Sequence, residues 1–169
     1  GIQEEISQGA GRVAGTLGLG NLIMFYDANN VQLSTKVDEV DTEDVQKKYE
    51  AWGWKVLHIN GNDVQQIRAA LTEAKAESMR PTLIIGDTLM GKGAMGPDQS
   101  SYENKVSTHG QPLSAAGASI AETIKNLGGD PEHPFTIFPE VEAIYAKRRA
   151  ELEAIVAERY AVKKVWSEA

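Results

Sequence analysis

Residues 22–30 read LIMFYDANN, a continuous apolar run that is closed by a polar turn. An apolar run of this length between turn residues is typical of a strand that is buried on both faces, as in a parallel sheet. The segments 55–59 and 81–85 have the same character, so three strands are predicted, the first over 22–26. Helical patterns alternate with them, which predicts an α/β fold: a parallel sheet with helices on both faces.

Five helices are predicted from helical spacing and from residues that begin helices well. Thr42, Asp63 and Ser114 suit the N-cap position, and Pro139 suits the first helical position. In the last helix an apolar stripe is expected to face inward. The five helices are predicted over 3–19, 42–52, 63–78, 114–127 and 139–160, and the stripe consists of Val141, Ile144, Leu152, Ile155 and Val156.

The first predicted helix carries three glycines, Gly9, Gly11 and Gly15, opposite its larger apolar residues. Glycine inside a helix lowers its stability, so close packing against another element is the expected reason for them.

The composition of the 169 residues fits one globular domain and excludes several classes of function. Without any cysteine, the chain has no disulfide scaffold, no thiolate metal site and no cysteine nucleophile. A net charge of −7 argues against a broad basic face, so no nucleic-acid partner is expected. No apolar run approaches the ~20 residues of a membrane span. We therefore expect no membrane contact and, without a signal-type N-terminus, a cytoplasmic location.

The chain begins at Gly1 without a methionine and enters a helical pattern within a few residues. We expect an internal piece of a longer protein, with a tag-cleaved terminus as the alternative. Three strands are also few for a sheet that is buried on both faces, which suggests further strands upstream.

Polar residues follow the first predicted strand, where Asp27 to Val31 lie at the sheet edge that binds ligands in open α/β folds. Asn side-chain carbonyls and backbone carbonyls are hard oxygen donors that suit Mg²⁺ or Ca²⁺. An Asn-Asn pair is also a common turn, because asparagine tolerates a positive φ. From the residues alone, a metal site and a simple turn both stay open.

Residues 90–112 form a long polar segment, of the length that is usually functional or disordered in a compact domain. Within it, residues 91–96 match the pattern GxGxxG. A dinucleotide-binding fingerprint has to open a helix, whereas Pro97 and a polar loop follow here. A flexible loop that approaches a ligand closely is the preferred interpretation.

Histidines and acidic residues are the candidates for proton transfer. His109, at the end of the long polar segment, is better placed for proton transfer or a phosphate contact than the other two histidines. His58 lies inside a predicted strand and His133 in a predicted loop, and both are most simply structural. Glu4 and Glu5 open the first helix, where acidic residues complement the helix dipole.

Taken in order, several motifs resemble the thiamine-diphosphate region of transketolase, and together they cover essentially all of residues 1–165. They are GIQEEIS (1–7), GTL (15–17), LIMFYDAN (22–29), YEAWGW (49–54), GND (61–63), PTL (81–83), MGKG (90–93) and THGQPL (108–113). The resemblance implies a partial domain of the thiamin diphosphate-binding fold. Residues 1–130 would be the second half of the diphosphate-binding domain, and 131–169 a C-terminal helical extension or linker of it.

The resemblance also implies how a cofactor would be held. Asn29, through its side-chain oxygen, and Val31, through its backbone carbonyl, would bind Mg²⁺ or Ca²⁺, which bridges to the diphosphate of thiamine diphosphate. A hard dication with oxygen ligands suits that task. In the family a Gly-Asp-Gly tripeptide, whose Asp is a further ligand, immediately precedes the position of Gly1. Met90 matches an apolar residue that packs against the cofactor.

Two further residues match catalytic groups of the family. His109 matches the histidine that reaches the reactive end of the cofactor and a hydroxyl of the donor sugar, where it would assist proton transfer. Glu4 matches a carboxylate of the acidic cluster between the two active sites. The family often has a second carboxylate at the position of Gly9, where this chain has none.

The implied reaction moves a two-carbon ketol unit from a ketose phosphate to an aldose phosphate, as in the pentose phosphate pathway of carbohydrate metabolism. The implied partners are sugar phosphates, the remainder of a transketolase chain and a second subunit of a homodimer. The glutamate that activates the cofactor ring belongs to another domain, so the chain alone is expected to be inactive. The alternatives are a dihydroxyacetone synthase, a deoxyxylulose phosphate synthase, or a non-catalytic domain that retains the fold.

Overall fold

The computed structural model describes the backbone of residues 1–168 and the side chains of residues 1–161, 163 and 164. The chain divides into two compact units, of which the first is Gly1–Leu127 and the second begins at Gly128.

Three parallel strands form the sheet of the first unit: β1 (Ile23–Ala28), β2 (Lys55–Asn60) and β3 (Thr82–Asp87). Their order across the sheet is β1-β3-β2. Ile23 of β1 and Lys55 of β2 both align with Thr82 of β3, so the three strands end at one common edge. The predicted strands are confirmed, and each extends one or two residues further toward that edge.

The described part of the first unit has five α-helices, α1 (Glu5–Leu17), α2 (Val45–Ala51), α3 (Val64–Ala76), α4 (Leu113–Ala116) and α5 (Ile120–Asn126), and that of the second unit has α6 (Pro139–Glu168). A side chain caps the start of α2, α3 and α5. Asp63 accepts hydrogen bonds from the backbone N–H groups of Gln65 and Gln66 and begins α3, as predicted. The predicted cap Thr42 is wrong, because Asp44 accepts from the N–H of Lys47 and begins α2.

The single helix predicted over 114–127 is wrong, because the structure has two short helices there. Gly117 adopts a left-handed φ of 95° and ends α4. Ser119 then begins α5, where its side chain accepts from the N–H of Glu122 at 3.3 Å. A glycine in the left-handed region is a common helix stop, and it outweighs the apolar spacing here.

Helices cover both faces of the sheet, as predicted. One core, beneath α1 and α2, contains Ala14, Tyr49, Trp54, Leu83 and Ile85. A second core lies on the opposite face, where Ala70 and Ala74 of α3 pack with Ile84. Consecutive strand residues point to opposite faces, so β3 contributes to both cores.

The glycines of α1 allow a close approach to the chain that follows α2. A Cβ at Gly15 would lie 1.8 Å from the carbonyl oxygen of Trp52, and one at Gly11 would lie 3.0 Å from the Trp52 ring. A Cβ at Gly9, by contrast, would meet nothing within 4 Å. The expected close packing is therefore confirmed for two of the three glycines. The large apolar residues of α1 point away from this contact, and Ile6, Val13 and Leu17 are 82%, 57% and 64% exposed.

In the second unit, α6 begins at Pro139 as predicted and continues past the predicted end. Its apolar stripe was expected to face inward, and this is wrong within the described part of the chain. Val141, Ile144 and Leu152 are 37%, 66% and 44% exposed. The described part of this unit contains no other α-helix or strand that could cover the stripe. Among the described residues, no helix combines the length and apolar character that a membrane crossing requires.

Candidate functional site

A cleft of about 670 Å³ opens beside β1 and is bounded by four further parts of the first unit. The parts are the residues around the start of α1, the polar turn after β1, Tyr49 of α2, and His109. Four of the five predicted site residues line this cleft: Glu4, Asn29, Val31 and His109. Met90 is not among the lining residues, although its loop leads toward His109.

The polar turn after β1 is ordered by its own asparagines. The side-chain oxygen of Asn29 accepts the N–H of Val31 at 2.9 Å, and its amide nitrogen donates to Asp27 at 3.3 Å. Asn30 adopts a φ of 55°, in the left-handed region. The turn interpretation of the sequence is therefore confirmed. It leaves a metal role open, because a carbonyl oxygen has two lone pairs and this hydrogen bond uses one.

The turn continues into a short closed loop. Val31 and Lys36 pair as an isolated antiparallel bridge, and the N–H of Val37 donates to the carbonyl of Asn30 at 3.2 Å. The side chain of Asn30 both donates to Asp38 at 3.0 Å and accepts from its N–H at 3.1 Å. Residues 29–39, called the turn loop below, are thus held by hydrogen bonds within the loop.

His109 follows a single turn of 3₁₀ helix over Val106–Thr108. Its N–H donates to the carbonyl of Val106 at 3.0 Å, and the hydroxyl of Thr108 donates to the carbonyl of Lys105 at 2.7 Å. The ring nitrogen Nδ1 is buried and has no hydrogen-bond partner among the described residues. Buried polar atoms are nearly always partnered, so this nitrogen is an exception, and it belongs to a residue that lines the cleft.

Residues 90–109, called the long loop below, fold back on themselves without opening a helix. The N–H of Asn104 donates to the carbonyl of Met90, and that of Tyr102 donates to the carbonyl of Ala94, both at 2.8 Å. Glu103 accepts the N–H of Gly93 at 2.8 Å. The glycine pattern is therefore part of an ordered loop, which agrees with setting aside a dinucleotide fingerprint.

Glu4 lies at the N-cap position of α1 but makes no side-chain capping hydrogen bond. Its carboxylate, at the rim of the cleft, is exposed. Its position at the start of α1 agrees with a carboxylate that complements the helix dipole, and the catalytic role of Glu4 stays a prediction.

Tyr26 also lines the cleft, and the sequence analysis did not single it out. Burial raises the pKa of its hydroxyl, and the nearby carboxylates of Asp41, Asp27 and Asp87 raise it further. The hydroxyl therefore stays protonated at neutral pH and can donate a hydrogen bond. The sequence signal for Tyr26 was its position in β1 immediately before Asp27. The apolar pattern of the strand does not distinguish a tyrosine that lines a cleft from one that lies in the core.

The other two histidines have simple structural roles. Nε2 of His58 lies 2.9 Å from a carboxylate oxygen of Asp87 at the edge of the sheet. Nδ1 of His133 lies 2.9 Å from a carboxylate oxygen of Asp130 within the second unit. Neither residue lines the cleft beside β1.

The described residues contain no group of three or more His, Asp or Glu side chains that could hold a metal ion. The chain offers instead an amide oxygen and backbone carbonyls at the turn loop. Such neutral donors suit Mg²⁺ or Ca²⁺ when phosphate oxygens or a carboxylate complete the coordination. The donor set therefore fits a divalent cation that would take its remaining ligands from a bound group.

The fold agrees with what comparison with known proteins shows. Residues 1–168 match the family described as transketolase, thiamine diphosphate binding domain. The chain therefore belongs to this family.

Individual relatives support the same assignment. The chain is 40% identical over 169 residues to transketolase 1 of Pasteurella multocida, which covers 99% of the chain and 23% of that protein. It is 38% identical over 150 residues to transketolase of Treponema pallidum, covering 89% of the chain and 22% of that protein. The chain thus spans less than a quarter of the length of these relatives.

Solved structures give the same fold. The structure of Pichia stipitis transketolase in complex with sedoheptulose-7-phosphate matches 93% of this chain and 22% of that chain, with a TM-score of 0.82 and 32% identity. Transketolase of Campylobacter jejuni matches 85% of this chain and 22% of that chain, with a TM-score of 0.75 and 35% identity.

Proposed function

We propose that this chain serves in a transketolase, which transfers a two-carbon ketol unit from a ketose phosphate to an aldose phosphate with thiamine diphosphate and Mg²⁺ or Ca²⁺. One observation carries the proposal: a single cleft brings together Glu4, Asn29, Val31 and His109 from three distant parts of the sequence. These are residues that the family resemblance selects.

The turn loop would hold the cofactor through a metal ion. The side-chain oxygen of Asn29 and the backbone carbonyl of Val31 would be ligands, and the diphosphate would supply others. The family's aspartate ligand would come from outside this chain. When bound, thiamine diphosphate supplies the nucleophilic carbon and the electron sink for cleaving the bond beside a ketone. Met90 would contribute an apolar contact from the base of the long loop.

His109 would move protons to and from hydroxyl groups of the sugar. Its ring lines the cleft, and its unpartnered Nδ1 is free of competing hydrogen bonds among the described residues. An imidazole changes charge near neutral pH, which suits it to both directions of proton transfer. Glu4 would contribute a carboxylate between two active sites, where Gly9 leaves the family's second carboxylate missing.

The whole enzyme's surroundings are part of the proposal. Residues 1–130 would form the second half of the diphosphate-binding domain and 131–169 its helical extension, with the remainder of the chain and a second subunit as partners. The structures of Pichia stipitis transketolase include complexes with sugar phosphates, which supports sugar phosphates as substrates here. We place the enzyme in the cytoplasm and in the pentose phosphate pathway. The 169-residue chain alone would be inactive.

The test is calorimetric binding of thiamine diphosphate with Mg²⁺ to the full-length protein that contains this chain, followed by a ketol-transfer assay. Asn29→Ala should weaken cofactor binding at least tenfold, a loss of about 1.4 kcal/mol, because a metal ligand is removed. The matched control is Asn21→Ala, which removes an exposed asparagine before β1. Equal binding by the two variants would refute the assignment of Asn29.

The choice of acceptor separates transketolase from its relatives. Transfer to aldose phosphates supports the proposal, whereas a preference for formaldehyde would indicate a dihydroxyacetone synthase. Condensation of pyruvate with glyceraldehyde phosphate would indicate a deoxyxylulose phosphate synthase. No cofactor binding at all by the full-length protein would indicate a non-catalytic domain.

A further inference from the structure

A side-chain hydrogen bond joins the two loops that carry the proposed cofactor contacts. Nζ of Lys36, in the turn loop, donates to the backbone carbonyl of Asn104, in the long loop, at 2.9 Å. The two residues are 68 positions apart in the sequence. The lysine is half-buried, so its stem packs against the protein while its ammonium reaches the carbonyl.

Lys36, the donor of this hydrogen bond, is held within the turn loop by backbone contacts. Lys36 pairs with Val31 in the isolated bridge, and its N–H donates to the carboxylate of Glu39 at 3.2 Å. Its backbone is therefore fixed relative to the residue whose carbonyl is the proposed metal ligand.

Asn104, whose carbonyl accepts this hydrogen bond, is held within the long loop. Asn104 adopts a left-handed φ of 59°, and its N–H donates to the carbonyl of Met90 at 2.8 Å. The next residue, Lys105, accepts the hydrogen bonds of Thr108 that shape the turn before His109. When Lys36 holds the Asn104 carbonyl, it therefore also fixes the start of the long loop at Met90 and the turn that precedes His109.

We propose that Lys36 is a positioning residue, which holds the long loop with Met90 and His109 in register with the turn loop that carries Asn29 and Val31. This inference rests on the proposed function. An ammonium suits the task because it donates a charge-assisted hydrogen bond, which is stronger than a neutral one. The link acts on the cofactor site only through backbone geometry.

The test compares variants of the full-length protein that contains this chain. Lys36→Met keeps the length of the stem and removes the donor, and Lys36→Arg restores a charged donor. The control is Lys47→Met, which removes the same charge from an exposed lysine on α2, where it pairs only with Asp44 among its described contacts. The measurements are amide hydrogen exchange, the dissociation constant of thiamine diphosphate with Mg²⁺, and the melting temperature.

We expect Lys36→Met to speed exchange at the Asn104 and His109 amides about fivefold, the effect of losing one net hydrogen bond. The cofactor's dissociation constant should rise by about the same factor, while the melting temperature falls by no more than a few degrees, as for the loss of any single net hydrogen bond. Lys36→Arg should recover most of both effects, and Lys47→Met should show neither.

Two results would overturn the inference. If Lys36→Met exchanges at these amides like Lys47→Met, the link does not order the long loop. If exchange rises but the cofactor binds as before, the link does not position the site. If the proposed function itself is wrong, the unsubstituted protein binds no thiamine diphosphate, and this result is distinct from the two above.

Discussion

The core beneath α1 and α2 and the cleft beside β1 lie in the same unit, but they differ in whether a buried nitrogen has a hydrogen-bond partner. In the core, the indole nitrogen of Trp54 donates to the carbonyl of Gly11 at 2.8 Å, so the chain satisfies its own donor. In the cleft, Nδ1 of His109 is buried without a partner among the described residues. The residues of this core fit one another, whereas the cleft leaves a polar atom unpartnered. Thr82 Oγ1, in the central strand β3, is likewise buried without a partner among the described residues. Substitutions in the core should therefore change stability, and substitutions in the cleft should change activity.

Trp54 gives the strongest test of the core side of this comparison. It is 3% exposed and packs edge-on against Tyr49, with ring centroids 5.2 Å apart. Trp54→Ala should lower the free energy of unfolding by about 3–5 kcal/mol, because it removes a buried ring and leaves a cavity. Urea denaturation measures the loss. Tyr145→Ala, at a tyrosine that is 70% exposed, is the control and should change stability by less than about 0.5 kcal/mol.

His109 gives the corresponding test of the cleft. His109→Ala should lower kcat/KM for ketol transfer by about 10²–10⁴-fold in the full-length protein, through loss of proton transfer. Its free energy of unfolding should change by less than about 0.5 kcal/mol, since the ring nitrogen makes no hydrogen bond to lose. His133→Ala is the control for kinetics. A large loss of stability with unchanged kinetics would place His109 with the core and end the distinction.

The glycines of α1 sharpen the comparison within one helix. Gly15→Ala should destabilise the protein by about 2 kcal/mol, because the new Cβ would lie 1.8 Å from the carbonyl oxygen of Trp52 and the backbones must separate. Gly9→Ala should stabilise it by about 0.5–1 kcal/mol, since alanine is the better helix former and the space is open. Thermal unfolding of the two variants measures opposite signs, and shifts of the same sign would contradict the packing described for α1.

The smallest effect is expected at Asp63. Like the core residues, Asp63 has its hydrogen-bond partners within the chain. The N–H groups of Gln66 and Gln65 hold the pKa of its carboxyl below the usual value. A depressed folded-state pKa means that the stabilisation is present above the unfolded-state pKa and is lost as the pH falls through the folded one. Asp63→Asn should therefore reduce the loss of stability below about pH 4. Denaturation midpoints between neutral and acid pH test this, and identical slopes would contradict it.

Much of the fold was predictable because its signals are local. The apolar runs and their polar ends predict three parallel strands, and Asp63 and Pro139 mark the starts of their helices. The break at Gly117 was missed, because a glycine inside an apolar pattern reads equally well as part of a helix. The exposed stripe of α6 was also missed, since spacing shows which residues share a face but not whether anything covers that face.

The candidate site was predictable as a set of residues but not as an arrangement. Resemblance selects Asn29, Val31 and His109, and the common edge of the parallel strands explains why residues after different strands can meet. The link from Lys36 to Asn104 left no sequence signal, because a lysine bound to a distant backbone carbonyl has no motif. Met90 matches a family contact, yet the cleft is lined without it.

The strand order carries a consequence for how the molecule assembles. The central strand β3 pairs with β2, which is nearby in the sequence, and with β1, which is much further away. Closing the longer segment costs more chain entropy, so we expect β2, α3 and β3 to associate first and β1 to join afterwards. The turn loop follows β1 directly, so the cleft would be the last part of the unit to form. Pulse-labelled hydrogen exchange during refolding would show protection of β2 and β3 before β1, and simultaneous protection would contradict this sequence of events.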